Sequence, residues 1–363
     1  MQKRKKKIKI KKSGIIIIIL IVLVLFLYNP IKSIFQISNK GYDLSTSYKI
    51  YKDGIKDIVL KNDYSKTLDY VINSDYYDEK EIDNYFKIKY FEYDEFLKNI
   101  NIWLSLGYKY TDINSINEKN DNELNEFVSK KYVSDIVSYL DYDFFKVNNF
   151  DRYLNYFNGD YKDTIVKVNI GLDKKFFEDP NVIKDYSIDM IINKYNKLDN
   201  DFVPPNLTEL DNCSEKGEYL TKEAKEAYDS LCFDSKKAGF SFGVTSSYRS
   251  YDEQLKIYNS YLKSNGQDYV DKYVATPGFS EHQTGLALDI KSLKGSPFKY
   301  TNEYKWMIEN SYKYGFILRY PENLESITGY NPEAWHFRYV GKEIASFLKE
   351  NNLTYEEYYA MYK

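Results

Sequence analysis

Only two histidines occur in the chain, His282 and His336, and each stands near carboxylates in a run crowded with polar residues. His282 lies in Pro277–Gly285 (PGFSEHQTG), with Asp289 seven residues further on. His336 lies in Pro332–Arg338 (PEAWHFR), and Glu333 precedes it by three. A glycine-rich loop entering a strand can aim His282 and Asp289 at one point from two sides. Two neutral imidazoles and one carboxylate are a normal ligand set for catalytic Zn2+, leaving a fourth position for water. The ion would lower the pKa of that water, and a nearby carboxylate could take its proton. Spacing alone leaves a structural alternative open. A lone His is usually structural or exposed, and a lone Asp at a strand end more often caps a turn. The helix-borne H-E-x-x-H pattern is absent.

Elements able to position such a site are legible over residues 201–363. Leu220, Ala224, Ala227 and Leu231 share one helical face, with Gly239 placed to end the helix. Phe240, Phe242 and Val244 alternate as in a strand ending at Ser246. A second helix carries Leu255, Tyr258 and Leu262 and stops at Gly266. Leu286, Leu288 and Ile290 mark a strand, Trp306–Tyr314 a helix ended by Gly315, and Phe316–Arg319 and Trp335–Val340 two further strands. A closing helix runs through Ile344, Phe347 and Leu348. Helices and strands without a strict βαβ rhythm predict an α+β domain, with a mixed or antiparallel sheet flanked by helices. Arg249 falls just past a strand end, where a guanidinium can project into a cleft; an ordinary surface arginine is the alternative. Trp335 reads as core, Glu281 as a supporting loop carboxylate, and Arg338 and Tyr339 as outward and inward residues of the last strand.

Three ordered runs carry a resemblance: Ser246–Ser250 (SSYRS) with Gln254, Ser280–Asp289 (SEHQTGLALD), and Glu333–Tyr339 (EAWHFRY). Together they resemble the VanY-type D-alanyl-D-alanine carboxypeptidases, over about residues 200–350. The resemblance implies that His282, Asp289 and His336 bind Zn2+, that Glu333 is the catalytic base, and that Arg249 contacts substrate and stabilises charge on the scissile carbonyl. It also implies that Gln254 and Ser280 help to hold the terminal D-alanine. Ser247 stands where the family commonly has Gly, and Ala334 where it commonly has Pro. The implied activity is a zinc D,D-carboxypeptidase acting on peptidoglycan stem peptides. L,D-carboxypeptidase action on tetrapeptide stems and a non-catalytic wall-binding module are the alternatives.

Delivery to the cell wall would depend on the N-terminus. Residues 1–14 hold eight Lys/Arg and no acid, and Ile15–Tyr28 is uninterruptedly apolar. This predicts a basic cytoplasmic arm (1–14) and a transmembrane signal anchor (15–35), with the remainder outside the cell membrane. No small-x-small site follows for cleavage of an export signal. Residues 36–200 are Tyr-rich and lack histidine; they predict a mostly helical spacer or binding region of unknown function. Helical spacing marks Phe91–Leu106 and Phe127–Phe145, too loosely alike to make a repeat, and Thr164–Ile170 reads as a strand. Two prolines in Asp199–Asn206 suggest a linker.

Cys213 and Cys232 could form a disulfide in an exported domain, or remain two free thiols; neither has metal-type spacing. The net charge of −3 conceals a segregation: outside the basic arm, 43 basic and 54 acidic residues leave −11. An acidic bulk argues against nucleic acid as a partner, and 64 aromatics supply ample core material.

Overall fold

The computed structural model describes residues 12–92 and 95–363, so the basic arm lies almost wholly outside the described residues. The chain forms two compact units, Met1–Tyr142 and Asp143–Lys363.

The first unit is helical. Its first helix, Lys12–Ser38, contains the apolar stretch Leu20–Ser38, long enough to cross a membrane by length and composition. The helix outlasts the predicted anchor because its last turns pack on the helices that follow it within the same unit. Ile37 and Ser33 are buried, and Lys56 Nζ donates to Ser33 Oγ at 2.9 Å. The helical pattern over Phe91–Leu106 is realised as Phe96–Leu106, which ends at Gly107 in the left-handed region (φ 102°). The pattern over Phe127–Phe145 is broken into two helices, Asn122–Val128 and Ile136–Leu140. Asp135 turns the chain between them at φ 57°.

A repeat is present, in a register that hydrophobic spacing does not reveal. Tyr85 Oη accepts from Asp78 N and donates to Asn101 Oδ1. At a constant offset of 68 residues, Tyr153 Oη accepts from Lys146 N and donates to Asn169 Oδ1. Tyr42 and Tyr108 likewise each accept a backbone N–H from further along the chain, from Ser65 and Val133. Buried tyrosines need such partners, and the recurrence of the partners identifies two copies of one helical motif.

Thr164–Ile170 is not a strand. It forms most of the helix Tyr161–Asn169, N-capped by Asp160 and braced by an Asp163–Lys167 pair at i,i+4. Capping and burial of Ile165, Val166 and Val168 override the weak strand preference of β-branched residues.

The second unit contains two short strand pairs, β1 (Asn181–Ile183) with β2 (Asn196–Leu198) and β3 (Leu207–Glu209) with β4 (Tyr219–Thr221). Its main sheet comprises β5 (Phe242–Ser246), β6 (Ala287–Ser292), β7 (Phe316–Tyr320) and β8 (Glu333–Tyr339). All neighbours are antiparallel in the order β5-β6-β8-β7, giving the expected α+β architecture. One face packs on the helix Lys222–Lys237, whose Ala224, Tyr228 and Leu231 join Val244, Leu288, Ile290, Phe316 and Phe337 in the core. The other face is covered too. Arg338 alternates with Tyr339 as predicted but is fully buried, because the Ile188–Met190 backbone lies over it and accepts from its guanidinium. Asp199–Asn206 is no free linker: Phe202 is buried, and Gln283 Nε2 donates to the carbonyls of Asp199 and Phe202.

Cys213 and Cys232 form a disulfide at the edge of this core, joining positions 19 apart in the sequence. Its removal by a Cys213→Ala/Cys232→Ala double variant should cost about 3 kcal/mol, read by urea unfolding. Phe337 pairs with Leu288 on one side and Leu318 on the other, and is fully buried. Phe337→Ala should cost about 3–5 kcal/mol by the same measurement.

Candidate metal and catalytic site

Strand register brings the chemistry together. Asp289 of β6 pairs directly with His336 of β8, and on its other side with Ser246 at the end of β5. Directly opposed residues share a face with their Cβ atoms about 5 Å apart. His282 arrives from a single 3-10 turn, Glu281–Thr284, closed by Gly285 at φ 65°. Glycine is required there, because a Cβ would press on Leu207, Pro204 and Thr221 at 3.0–3.1 Å. Glu333 would face away from His336 in a regular strand. The register between β7 and β8 shifts beyond Leu318↔Phe337, and Glu333 Oε2 comes to 3.6 Å from His336 Nδ1.

Hydrogen-bond partners assign the ring nitrogens. His282 Nδ1 lies 2.6 Å from the Ser247 carbonyl and donates to it, so the lone pair sits on Nε2, 3.4 Å from Asp289 Oδ2. His336 Nε2 lies 3.2 Å from Glu281 Oε2, which leaves Nδ1 facing Asp289 Oδ1 at 3.2 Å. Ligand atoms of His282, Asp289 and His336 thus fall within 4.8 Å of one another. Asp289 Oδ1 is buried and makes no hydrogen bond, an orphaned acceptor in the middle of the group. Two imidazole lone pairs and an unsatisfied carboxylate oxygen, each ring fixed by an outer acceptor, suit a divalent cation such as Zn2+.

The electrostatics agree. Burial opposes ionisation of Asp289, but His282 and His336 outweigh it and hold the carboxyl well below the usual range. Burial lowers His282, against the pull of Asp289. Burial also works against a charge on His336, but Asp289, Glu281 and Glu333 push it up to about 10, so a cation must displace a proton there. Glu333 is driven the other way. Burial pushes it up to about 7 against the pull of His336, into the range of a general base.

All seven predicted site residues, namely Arg249, Gln254, Ser280, His282, Asp289, Glu333 and His336, line one cavity of 560 Å³. Cys213 and Cys232 lie apart from it in the core. Arg249 donates from Nη1 to Gln254 Oε1 at 2.6 Å and from Nη2 to Ser246 Oγ at 2.7 Å. Gln254 is buried and its Nε2 donates to the Ala275 carbonyl at 2.6 Å, which anchors the amide whose Oε1 holds Arg249. Ser247 Oγ donates to Glu218 and accepts from Tyr219 N, which pins the carbonyl that His282 uses. Trp335 is not core. It is 45% exposed at the cavity rim, because β6 pairs with β8 only from His336 onward and Trp335 has no sheet neighbour on that side.

Glu281 holds the supporting role expected of it, with partners that the motif pattern gave no means of naming. Arg319 and Arg338 converge on its Oε1, the Tyr320 ring lies tilted against His336 with centres 5.0 Å apart, and Tyr330 lines the cavity. Arg338 lies in the third run but reads there as an outward strand residue, and Arg319, Tyr320 and Tyr330 stand in ordinary strand and loop contexts with nothing in their spacing to single them out.

The D-alanyl-D-alanine carboxypeptidase family VanY matches residues 217–342. A D-alanyl-D-alanine carboxypeptidase of Enterococcus faecium is 40% identical over 141 residues, 39% of this chain and 44% of that protein. The bifunctional D-Ala-D-Ala dipeptidase and D-Ala-D-Ala carboxypeptidase VanXYC of Enterococcus gallinarum is 34% identical over 178 residues, 47% of this chain and 92% of that protein. Among solved structures, a vancomycin-resistance D,D-pentapeptidase VanY in complex with Zn(II) is 32% identical, with 47% of this chain and 97% of that one covered at a TM-score of 0.42. The chain spans about half the length of the first curated relatives it matches. With nearly the whole of one relative matched at this identity, the chain belongs to the VanY-type D-alanyl-D-alanine carboxypeptidase family.

Proposed function

We propose that the protein is a membrane-anchored zinc D,D-carboxypeptidase that removes the terminal D-alanine from peptidoglycan stem peptides. The carrying observation is the convergence of His282 Nε2, Asp289 and His336 Nδ1 at one point beside Glu333. The named activities of the E. faecium and E. gallinarum relatives support the substrate class. Residues 15–35 would anchor the chain, residues 1–14 would remain in the cytoplasm, and residues 36–200 would stand between the membrane and a catalytic domain over 201–363. The apolar helix and the basic arm before it support this arrangement.

Zn2+ held by His282, Asp289 and His336 would supply a Lewis acid at the cavity floor. Glu333 then takes the proton of the attacking water on its carboxylate and delivers it to the leaving amine. Arg249, fixed in place by Ser246 and Gln254, offers its remaining N–H groups to the scissile carbonyl oxygen as charge grows there. Ser280 lies on the wall that would receive the terminal D-alanine, and Gln254 contributes by bracing Arg249.

Glu333→Gln should retain zinc while losing roughly 10²–10⁴ in kcat on pentapeptide stems. Full turnover by that variant would remove Glu333 as the base, and turnover confined to tetrapeptide stems would assign the L,D reaction instead. Because the base works deprotonated, kcat/KM of the wild type should fall as pH drops through an acid limb. Glu333 lies at about 7 without metal, and a cation beside it lowers that value, so the limb should appear below 7. A pH profile in saturating zinc measures it, and an acid limb that survives in Glu333→Gln would assign it elsewhere.

A further inference from the structure

We infer that the C-terminal helix Tyr355–Tyr362 belongs to the apparatus that holds His336, acting through Glu356, Arg319 and Glu281 in series. This rests on the zinc reading above. Glu281, Arg319, Arg338 and Glu356 come from a loop, β7, β8 and the last helix, and none has a side chain more than 1% exposed. Two guanidinium groups and two carboxylates make this cluster neutral. Buried charges persist only when paired and hydrogen-bonded, because the interior does not screen them.

The division of contacts gives the cluster its direction. Arg319 donates from Nε to Glu281 Oε1 at 2.8 Å, and its two Nη atoms form a fork on the Glu356 carboxylate. Arg338 donates to the same Glu281 Oε1 at 3.3 Å. Both cations therefore load one oxygen of Glu281 and leave Oε2 for His336 Nε2 at 3.2 Å. That contact turns the Nδ1 lone pair toward Asp289. Tyr355, next to Glu356 on the helix, lays its ring beside both guanidinium groups.

Glu356 sets the charge of this cluster. Without its carboxylate, Arg319 is half unpaired, and a net positive charge stands one residue away from a ligand of a cation. Glu356 and Arg319 are thus positioning residues that never touch metal or substrate.

Zinc affinity of the full chain, read by competition with a chromophoric chelator, tests this. A wild type that takes up no zinc overturns the proposed function and this inference with it; zinc uptake by the wild type isolates the cluster. Glu356→Gln should bind zinc roughly 10–100-fold more weakly. The double variant Glu356→Gln/Arg319→Gln removes one charge of each sign and should regain most of that loss, although it has lost further hydrogen bonds. A merely structural role predicts the reverse order. Wild-type affinity in folded Glu356→Gln, or a double variant weaker than the single, overturns the inference. Where Glu356→Gln does not fold, the double variant decides: affinity within a few-fold of wild type supports it, and a loss of roughly 10-fold or more overturns it.

Discussion

The pairing of Asp289 with His336 across β6 and β8 is the contact on which the site depends. Side chains alternate along a strand, so a slip of one residue would send Asp289 into the core and bring Leu288 or Ile290 to the cavity. The core prevents that slip. Leu288, Phe337 and Leu318 form one row across three strands on the buried face, and they hold the register that places Asp289 and His336 on the other. Packing on one side of the sheet therefore fixes chemistry on the opposite side. The irregular pairing at the ends of β5 and β8 then re-aims the residues that a regular sheet would misdirect, bringing Ser246 beside Asp289 and Glu333 toward His336.

Charge is the second constraint. The site keeps three carboxylates, of Glu281, Asp289 and Glu333, within reach of one histidine ring. Their environments separate them. Two guanidinium groups hold Glu281 ionised and the two histidines hold Asp289 so, against the burial of both, whereas burial drives Glu333 toward neutrality. Groups whose environments drive their pKa values apart are suited to different tasks, here support, ligation and proton transfer. The same burial that keeps Glu281 useful also makes its guanidinium partners indispensable, since an unpaired charge at that depth is costly.

Much of the catalytic half was readable in advance. Strand alternation locates β6 and β8; residue types and spacing mark the two histidines with Asp289 and Glu333 as a possible ligand group, and only the resemblance of the three ordered runs implies their roles. Failures had local causes. Hydrophobicity puts Trp335 in the core, but it says nothing of where pairing between two strands begins. Alternation gives Arg338 an outward face, whereas the cover over that face comes from residues 188–190, distant in sequence. Thr164–Ile170 misled because β-branched residues suit strands only weakly, and a capped, buried helix prevails. In the Tyr-rich half the repeat rests on tyrosine hydroxyl partners and not on hydrophobic spacing, so periodicity missed it.

Zinc K-edge X-ray absorption of the purified chain bears most directly on the claim that His282, Asp289 and His336 hold one ion. The expected result is one zinc per chain, with two imidazole nitrogens and a carboxylate oxygen at about 2.0–2.2 Å, lost in His282→Ala/His336→Ala. Zinc with sulfur neighbours at about 2.3 Å, or zinc content unchanged in that double variant, would contradict it.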